Sequence, residues 1–303
     1  MPDHPAAEIE VDESLVRTLL RTQATAIPDA AALPLAKLAE GWDNTIWRLG
    51  DEYVVRLPRR AMAAPLVLHE QTTLPGIARR IAPSGIAVPA PVVSGRPGTG
   101  YPWAWSVARW IDGEPGFRVP RAERAGWAGP LARALDALHV PAPAEHPVNA
   151  FRGVPLADRA GGVASRIASL RARNEVDARA LDRLADLWAA GLGAPAHDGP
   201  ALWIHGDLHP GNLVARGPAL TGIIDFGDVT AGDPAYDLAI AWLAFDASGR
   251  AAFIAASGDR RDAATWVRAH AWAAAITLMF LDASDDNPEY LALGQDCLAE
   301  LAA

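Results

Sequence analysis

Residues 204–214 read IHGDLHPGNLV, and residues 223–228 read IIDFGD. A short apolar run over 202–204 leads into the polar loop 205–212, which predicts a buried strand that ends at a loop. Apolar runs over 213–215 and 222–224 flank a turn that contains proline, as expected for a small hairpin. The polar side chains of both stretches therefore follow strand ends, where they can converge on one site.

The spacing of three polar residues in these stretches fits phosphoryl transfer. Asp207 and Asn212 are five positions apart on one loop, and Asp225 opens a D-F-G after a short strand. Such a reaction needs a carboxylate to accept the hydroxyl proton and oxygen ligands for Mg²⁺. We predict that Asp207 is the catalytic base and that Asn212 and Asp225 bind the metal.

Composition limits the class of protein. Half of the residues are hydrophobic and 21% are charged, which excludes a disordered chain. No apolar run is long enough for a membrane helix, and the first thirty residues do not resemble a secretory signal. Cys297 is the only cysteine, which excludes an internal disulfide and fits a reducing compartment. We expect a cytoplasmic protein.

The negative charge of the chain is unevenly distributed. Residues 1–110 hold 11 basic and 11 acidic side chains, whereas residues 111–303 hold 16 basic and 25 acidic ones, a net charge of −9. This balance argues against nucleic acid or a membrane surface as a partner and is compatible with a cationic one. Solubility alone would also explain it.

The order of elements predicts an α+β chain with two lobes. Helices are predicted over residues 12–24, 65–82 (interrupted at Pro75), 122–139 and 175–190. Strands are predicted within residues 33–57 and near 90–94 and 105–110. From residue 234 the pattern is mostly helical. We therefore assign residues 1–110 to an N-terminal lobe and 111–303 to a C-terminal lobe.

At its polar motifs the sequence resembles the aminoglycoside phosphotransferase family, small-molecule kinases of the protein-kinase-like superfamily. The matching motifs are HGDLHPGN at 205–212, IDFGD at 224–228 and GDPAYDLA at 232–239. Earlier motifs that match are EGWDNTIWR at 40–48, VVRLP at 54–58 and HEQ at 69–71. The resemblance covers residues 35–245, with the motifs in matching order.

This resemblance implies a bilobal protein-kinase-like fold with a small β-rich N-terminal lobe and a larger helical C-terminal lobe. It implies ATP or GTP as the phosphoryl donor. It places Gly41 and Asn44 in a hairpin that covers the nucleotide, and Arg56 where the family often has lysine. Since Glu70 is the only acid within residues 53–111, we expect it to pair with a buried Arg56.

The resemblance also implies roles for residues around the catalytic loop. His205 would brace the loop, with a direct role in the chemistry as the alternative. Asp237 would be a buried acceptor for amide groups of the loop. His209 is open to two interpretations, a hinge of the loop or a residue that faces solvent.

The acceptor is expected to be a small molecule with a hydroxyl group. Only seven residues separate Asp225 from Asp233, and no A-P-E follows, which leaves no room for an activation loop that binds a peptide. The acidic second lobe favours a cationic acceptor, which within the resemblance means an aminoglycoside or another antibiotic. Choline, amino alcohols and sugars of ordinary metabolism remain alternatives.

Two other classes of protein share parts of this pattern. The residues His205, Asp207 and His209 alternate along the chain and could bind zinc in a hydrolase, but Asp225 would then have no role. A nucleotide-binding protein without turnover would be marked by loss of a required carboxylate, and none is missing. Phosphoryl transfer is therefore preferred.

Overall fold

The computed structural model describes residues 6–41, 43–98, 100–284 and 287–302. Trp42 of the predicted covering hairpin and Asp285 and Asp286 of the acidic C-terminal part lie outside these ranges. The chain divides into two compact units, residues 1–79 with 87–111 and residues 80–86 with 112–303. The short segment 80–86 thus groups with the second unit.

The first unit contains an antiparallel sheet with the strand order β1-β2-β3-β5-β4. Its strands are β1 (Leu35–Glu40), β2 (Asn44–Leu49), β3 (Tyr53–Pro58), β4 (Pro91–Gly95) and β5 (Trp105–Arg109). Helix α1 (Glu13–Gln23) begins where the Asp12 carboxylate accepts a hydrogen bond from Leu15 N at 2.7 Å. Its apolar side chains Val16 and Leu19 pack into the core of this unit.

The second helix, α2 (Ala64–Ile81), is continuous, so the predicted interruption at Pro75 is wrong. Proline inside a helix removes one N–H donor and costs about 3 kcal/mol. Leu74 and Ile77 on either side of it are both 1% exposed. Burial of this apolar face offsets the local cost, which sequence punctuation alone does not reveal.

Strand β1 is an edge of this sheet and carries Lys37, the only lysine of the chain. Its ammonium group forms an ion pair with Glu40 and lies 6.0 Å from the centre of the Trp47 ring. The lysine side chain remains 41% exposed. A charged, partly solvated residue on an edge strand discourages pairing with another chain.

The second unit is mainly helical. Its helices are α3 (Ala128–Leu138), α4 (Leu156–Arg173), α5 (Ala178–Gly193), α6 (Ala235–Leu238), α7 (Ile240–Ala244), α8 (Ala247–Ala256), α9 (Ala263–Ala283) and α10 (Pro288–Ala302). Its short strands are β6 (Glu114–Pro115), β7 (Leu202–Ile204), β8 (Leu213–Arg216), β9 (Ala219–Ile223) and β10 (Thr230–Gly232). Strand β7 pairs with β10, and β8 lies between β6 and β9. Helix α9 is buried along most of its length and packs against α4, α5 and α10.

Two details of this unit differ from the sequence prediction. The predicted helix over 122–139 begins as a tight 3₁₀ turn, Arg121–Trp127, and becomes α-helical only at Ala128. Pro130 then lies in the first turn of α3, where a missing N–H costs little. Helix α4 was not predicted at all. Among the described residues, no helix is both long enough and apolar enough to cross a membrane.

Candidate active site

The loop between β7 and β8 places Asp207 through a sharp turn at Gly206. Gly206 has φ +82°, and a Cβ there would lie 2.4 Å from the backbone oxygen of Asp228. Both the left-handed conformation and the close approach of the two backbones therefore require glycine. The loop closes with a 3₁₀ turn, Pro210–Asn212, that leads directly into β8.

His205 holds the loop from inside. Its Nε2–H donates to the backbone oxygen of Ile224 at 2.9 Å, and its Nδ1 accepts from Asp207 N at 3.1 Å. The ring is fully buried and lies 4.4 Å from the ring of Phe226, between centroids. Because both ring nitrogens are engaged within the protein, the geometry fits the bracing interpretation of His205.

Asp237 is the buried acceptor that the resemblance implied. Its carboxylate accepts hydrogen bonds from His205 N at 2.7 Å and Gly206 N at 3.1 Å. The Nε2 of His139 donates to the same carboxylate at 3.0 Å, while its Nδ1 accepts from Arg261 at 3.1 Å. The predicted contacts with the loop amides are confirmed, and they extend to the end of α3.

The Asp207 carboxylate is held from several directions. Arg152 Nη2 donates to its Oδ1 at 2.8 Å, and His209 Nε2 lies 3.7 Å from its Oδ2. Asn212 Nδ2 donates to the backbone oxygen of Asp207 at 2.8 Å. Burial by itself would raise the pKa of Asp207, but the neighbouring His209 and Arg152 outweigh it and hold that pKa well below its ordinary range. The carboxylate is therefore ionised and fixed in direction.

Arg152 connects Asp207 to a second carboxylate. Its guanidinium also hydrogen-bonds the hydroxyl of Tyr236 and lies 3.5 Å from Asp228 Oδ2. Asp228 in turn accepts from Asn149 Nδ2 at 2.7 Å. Burial, partly opposed by Arg152, raises the pKa of Asp228, and the charge of Asp207 adds to this shift. One arginine thus lies between two carboxylates beside the loop over residues 205–212.

Asn212 and Asp225 are brought together by the β8–β9 hairpin. Leu213 pairs with Ile223 in that hairpin, and Ile224 N donates to the backbone oxygen of Asn212 at 2.9 Å. Asp225 follows immediately in a left-handed conformation, φ 62° and ψ 63°. A non-glycine residue in that conformation is strained, and such strain is often found at functional sites.

These two residues suit a magnesium ion by the chemistry of their donors. The Asn212 amide nitrogen donates to the Asp207 backbone, and its amide oxygen is an acceptor of the kind that can bind a cation. A carboxylate and an amide oxygen are hard ligands of the kind that Mg²⁺ prefers, completed in such sites by waters and phosphates. The pair therefore fits the metal that the sequence implied.

His209 does not face solvent. It is 3% exposed, its Nδ1 accepts from Gly211 N at 3.0 Å, and its ring contacts Phe280 and Tyr290. That alternative for His209 is wrong, because α9 and α10 cover the ring. Tyr290 was missed by the sequence analysis; burial, with the nearby charges of Asp207 and Asp225, raises its pKa to about 12.

The zinc interpretation finds no support in this geometry. Within residues 6–41, 43–98, 100–284 and 287–302, no group of three His, Cys, Asp or Glu side chains is placed to bind a metal. Both ring nitrogens of His205 and the Nδ1 of His209 have backbone partners. The two histidines, His205 and His209, therefore support the loop.

The first unit holds the predicted nucleotide-binding residues. Arg56 Nη1 donates to Glu70 Oε1 at 2.6 Å, so the predicted ion pair is present. With its amide oxygen turned toward Arg56, Asn44 accepts from Nη2 and Nε at 3.0 and 3.1 Å. Glu70 and Asn44 are 4% and 6% exposed. A buried carboxylate and a buried amide thus fix the direction of one guanidinium.

Gly41 lies at the turn between β1 and β2. Its N–H donates to the backbone oxygen of Asn44 at 2.9 Å, and its own oxygen accepts from Arg59 Nη1 at 2.9 Å. These bonds shape the hairpin itself. Whether Gly41 and Asn44 contact a nucleotide stays a prediction.

Comparison with known proteins identifies the class and then the family. The fold is that of phosphotransferases, and the model of the phosphotransferase enzyme family, APH, matches residues 34–272. The chain belongs to this family. It is similar to the homoserine kinase of Methylobacterium sp. (strain 4-46), with 33% identity over 227 residues. That match includes 67% of this chain but only 61% of the relative, less than two thirds of its length.

Solved structures share the fold at low sequence identity. The GDP complex of wild-type aminoglycoside 2'-phosphotransferase-IIIa has a TM-score of 0.67 at 20% identity and covers 96% of this chain and 99% of its own. Macrolide 2'-phosphotransferase MphH from Brachybacterium faecium has a TM-score of 0.60 at 19% identity and covers 96% and 97%. The predicted α+β, protein-kinase-like fold and the assignment to the phosphotransferases are confirmed.

Proposed function

We propose that this phosphotransferase moves the γ-phosphoryl group of ATP or GTP to a hydroxyl group of a small molecule. The observation that carries the proposal is the Asp207 carboxylate held by Arg152, one loop turn before Asn212 and beside the hairpin that presents Asp225. A carboxylate in this position orients the acceptor hydroxyl and accepts its proton as the new bond to phosphorus forms.

The low pKa of Asp207 defines its contribution. A weakly basic carboxylate does not readily remove the hydroxyl proton before the bond to phosphorus forms. Its main contribution is to hold the hydroxyl in line with the phosphorus. The proton passes to the carboxylate late, when the transferring group has already bonded to the oxygen. His205 and Asp237 keep the loop in place and do not touch the acceptor.

Binding of the donor is assigned to two sets of residues. Asn212 and Asp225 would hold Mg²⁺, which neutralises charge on the nucleotide phosphates when it is bound. Arg56, directed by Glu70 and Asn44, is proposed to contact the phosphates. A guanidinium replaces the usual lysine here and can bind two phosphate oxygens at once. Gly41 is proposed to lie over the nucleotide.

Two classes of acceptor are proposed. The net charge of −9 over residues 111–303 supports a cationic acceptor, and fold relatives include aminoglycoside and macrolide phosphotransferases. An amine-bearing antibiotic is thus one candidate. The similarity to a homoserine kinase supports the other, a hydroxyl compound of ordinary metabolism. We propose no nucleic acid or membrane partner.

The test is direct detection of a phosphate monoester. The purified protein is incubated with Mg²⁺, ATP or GTP, and a panel of kanamycin, a macrolide, choline, ethanolamine and L-homoserine, and products are read by phosphorus NMR. The Asp207→Asn variant is the control. Nucleotide consumption without any phosphorylated acceptor, or equal product from the variant, would contradict the proposal.

A further inference from the structure

Helix α4 carries a row of arginines along one side. Arg159, Arg166 and Arg173 follow one another at intervals of seven residues, which return an α-helix to within about 20° of its starting direction. All three are partly exposed. The buried ridge of α4 runs beside them and consists of Leu156, Val163 and Leu170. The arginines therefore lie at the border between the packed face of α4 and solvent.

An arginine that precedes this row in the chain contacts Asp207. Arg152, seven residues before Arg159, precedes α4 and binds the Asp207 carboxylate at 2.8 Å. Burial lowers the pKa of Arg166; Asp282 opposes this effect, and repulsion from Arg159 and Arg152 adds to it. Arg166 thus lies within electrostatic reach of the arginine that touches the proposed base.

Arg152 and the three arginines of the row differ in their ion pairs. Arg152 pairs with Asp207 and Asp228, and Arg173 pairs with Asp282 at 3.1 Å. Within the described part of the chain, neither Arg159 nor Arg166 forms an ion pair; Arg159 lies over the Phe151 ring, 5.1 Å from its centre. Two half-buried guanidinium groups therefore remain without a bound carboxylate in the middle of the row.

An anion fits this arrangement for two physical reasons. It would relieve the repulsion among neighbouring cations, and a carboxylate matches the planar donor fork of arginine with two parallel hydrogen bonds. The overall acidity of residues 111–303 does not describe α4, because this helix carries four arginines and a single acid, Asp158. Electrostatic recognition depends on the local groups.

We propose that Arg159 and Arg166 bind a carboxylate group of the acceptor, which makes the acceptor a small hydroxy acid or hydroxy amino acid. The inference rests on the proposed phosphoryl transfer, since it places the acceptor between α4 and Asp207. It favours the metabolic candidate over a purely cationic antibiotic. An amino group of the same molecule would be compatible with the nearby Asp282 and Asp228 carboxylates.

The experiment compares two ligands that differ only by a carboxylate. Binding of L-homoserine and of its decarboxylated counterpart, aminopropanol, to the Mg²⁺–nucleotide-loaded protein is measured by calorimetry. We expect aminopropanol to bind at least about tenfold more weakly. Arg166→Gln and Arg159→Gln should each weaken L-homoserine binding about tenfold or more.

The matched control is Arg171→Gln on the same helix, an exposed arginine paired with Asp182. It should bind L-homoserine like the wild type, and all variants should keep the melting temperature and nucleotide affinity of the wild type. Equal affinity for the two ligands, discrimination that survives in the double variant, or no binding of L-homoserine would each overturn the carboxylate site. If kanamycin were then phosphorylated in an Asp207-dependent way, the proposed phosphoryl transfer would still hold without the carboxylate site. If neither kanamycin nor any other acceptor were phosphorylated, both proposals would be contradicted.

Discussion

Arg152 Nη2 donates to Asp207 Oδ1 over 2.8 Å, although the two residues are 55 positions apart in the chain. The bond joins the loop before α4 to the loop over residues 205–212 and fixes one oxygen of the carboxylate. It also adds a positive charge beside it, which contributes to the low pKa of Asp207. The basicity and the direction of the proposed base therefore depend on a residue outside the family motifs.

Removal of this contact should change the pH dependence of turnover. In Arg152→Gln the positive charge is lost, so the pKa of Asp207 rises toward its ordinary value of 3.8 or above. The acid limb of the kcat/KM profile should then move to higher pH, with kcat reduced about tenfold by misorientation. Steady-state kinetics across pH measure both effects. An unchanged acid limb would show that Arg152 does not tune Asp207; Arg171→Gln serves as the charge-matched control.

Asp207 itself should be indispensable for turnover. Asp207→Asn keeps the shape of the side chain but cannot accept the hydroxyl proton, and we expect kcat to fall about 100-fold or more with little change in nucleotide affinity. Single-turnover kinetics and nucleotide titration separate the two quantities. Turnover close to that of the wild type would exclude Asp207 as the base.

Metal dependence tests Asn212 and Asp225. Thermal stabilisation of the wild type by ATP should require Mg²⁺, because phosphates bind here through the cation. Asp225→Ala should abolish turnover and this metal-dependent stabilisation. Melting curves with ATP alone, Mg²⁺ alone and both together provide the measurement. Full stabilisation by ATP in the presence of a chelator would argue against the site.

Arg56 should affect the nucleotide more than the acceptor. Arg56→Ala should raise KM for ATP about tenfold or more while the acceptor KM stays within a factor of two or so, since only a phosphate contact is lost. Arg56→Lys should recover part of the effect. Arg109→Ala, which removes an exposed pair with Glu52 in the same sheet, is the control. If Arg56→Ala and Arg109→Ala had the same KM for ATP, Arg56 would not be a phosphate contact.

Loss of Asp237 should destabilise the fold. Asp237→Ala removes the shared acceptor of two loop amides and His139 in a fully buried site. We expect the free energy of unfolding to fall by about 3 to 5 kcal/mol. Asp262→Ala, which removes an exposed helix cap, should cost about 1 kcal/mol. Urea titrations of both variants measure the difference, and similar losses would mean that the brace is dispensable.

Most of the arrangement of the proposed catalytic residues could be predicted from the local sequence. The spacing of Asp207, Asn212 and Asp225 could be read directly, because one loop and one adjacent hairpin bring these residues together. The Arg56–Glu70 pair was also predictable, since residues 53–111 contain a single acid. Short-range geometry and a shortage of alternative partners made these contacts visible.

Contacts that depend on distant packing were not visible in the same way. Arg152 and Tyr290 reach the loop only through the packing of α4, α9 and α10. Helix α4 was not predicted because Gly161 and Gly162, which have low helix propensity, interrupt its helix-forming residues. The signal that could have found it was the seven-residue repeat of leucine, valine and arginine. Pro75 led to the opposite error, a predicted interruption in a helix that is continuous. Burial of the residues on both sides of Pro75 keeps α2 continuous.

Lys37, the only lysine of the chain, allows a fluorescent label to be attached at a single side chain. Apart from the α-amino group, Lys37 carries the only primary amine, and it is accessible on the edge strand that leads to the turn at Gly41. An amine-reactive fluorophore would therefore label the chain at one internal position without any engineered cysteine. Because that strand enters the hairpin proposed to cover the nucleotide, its emission would report donor binding in real time.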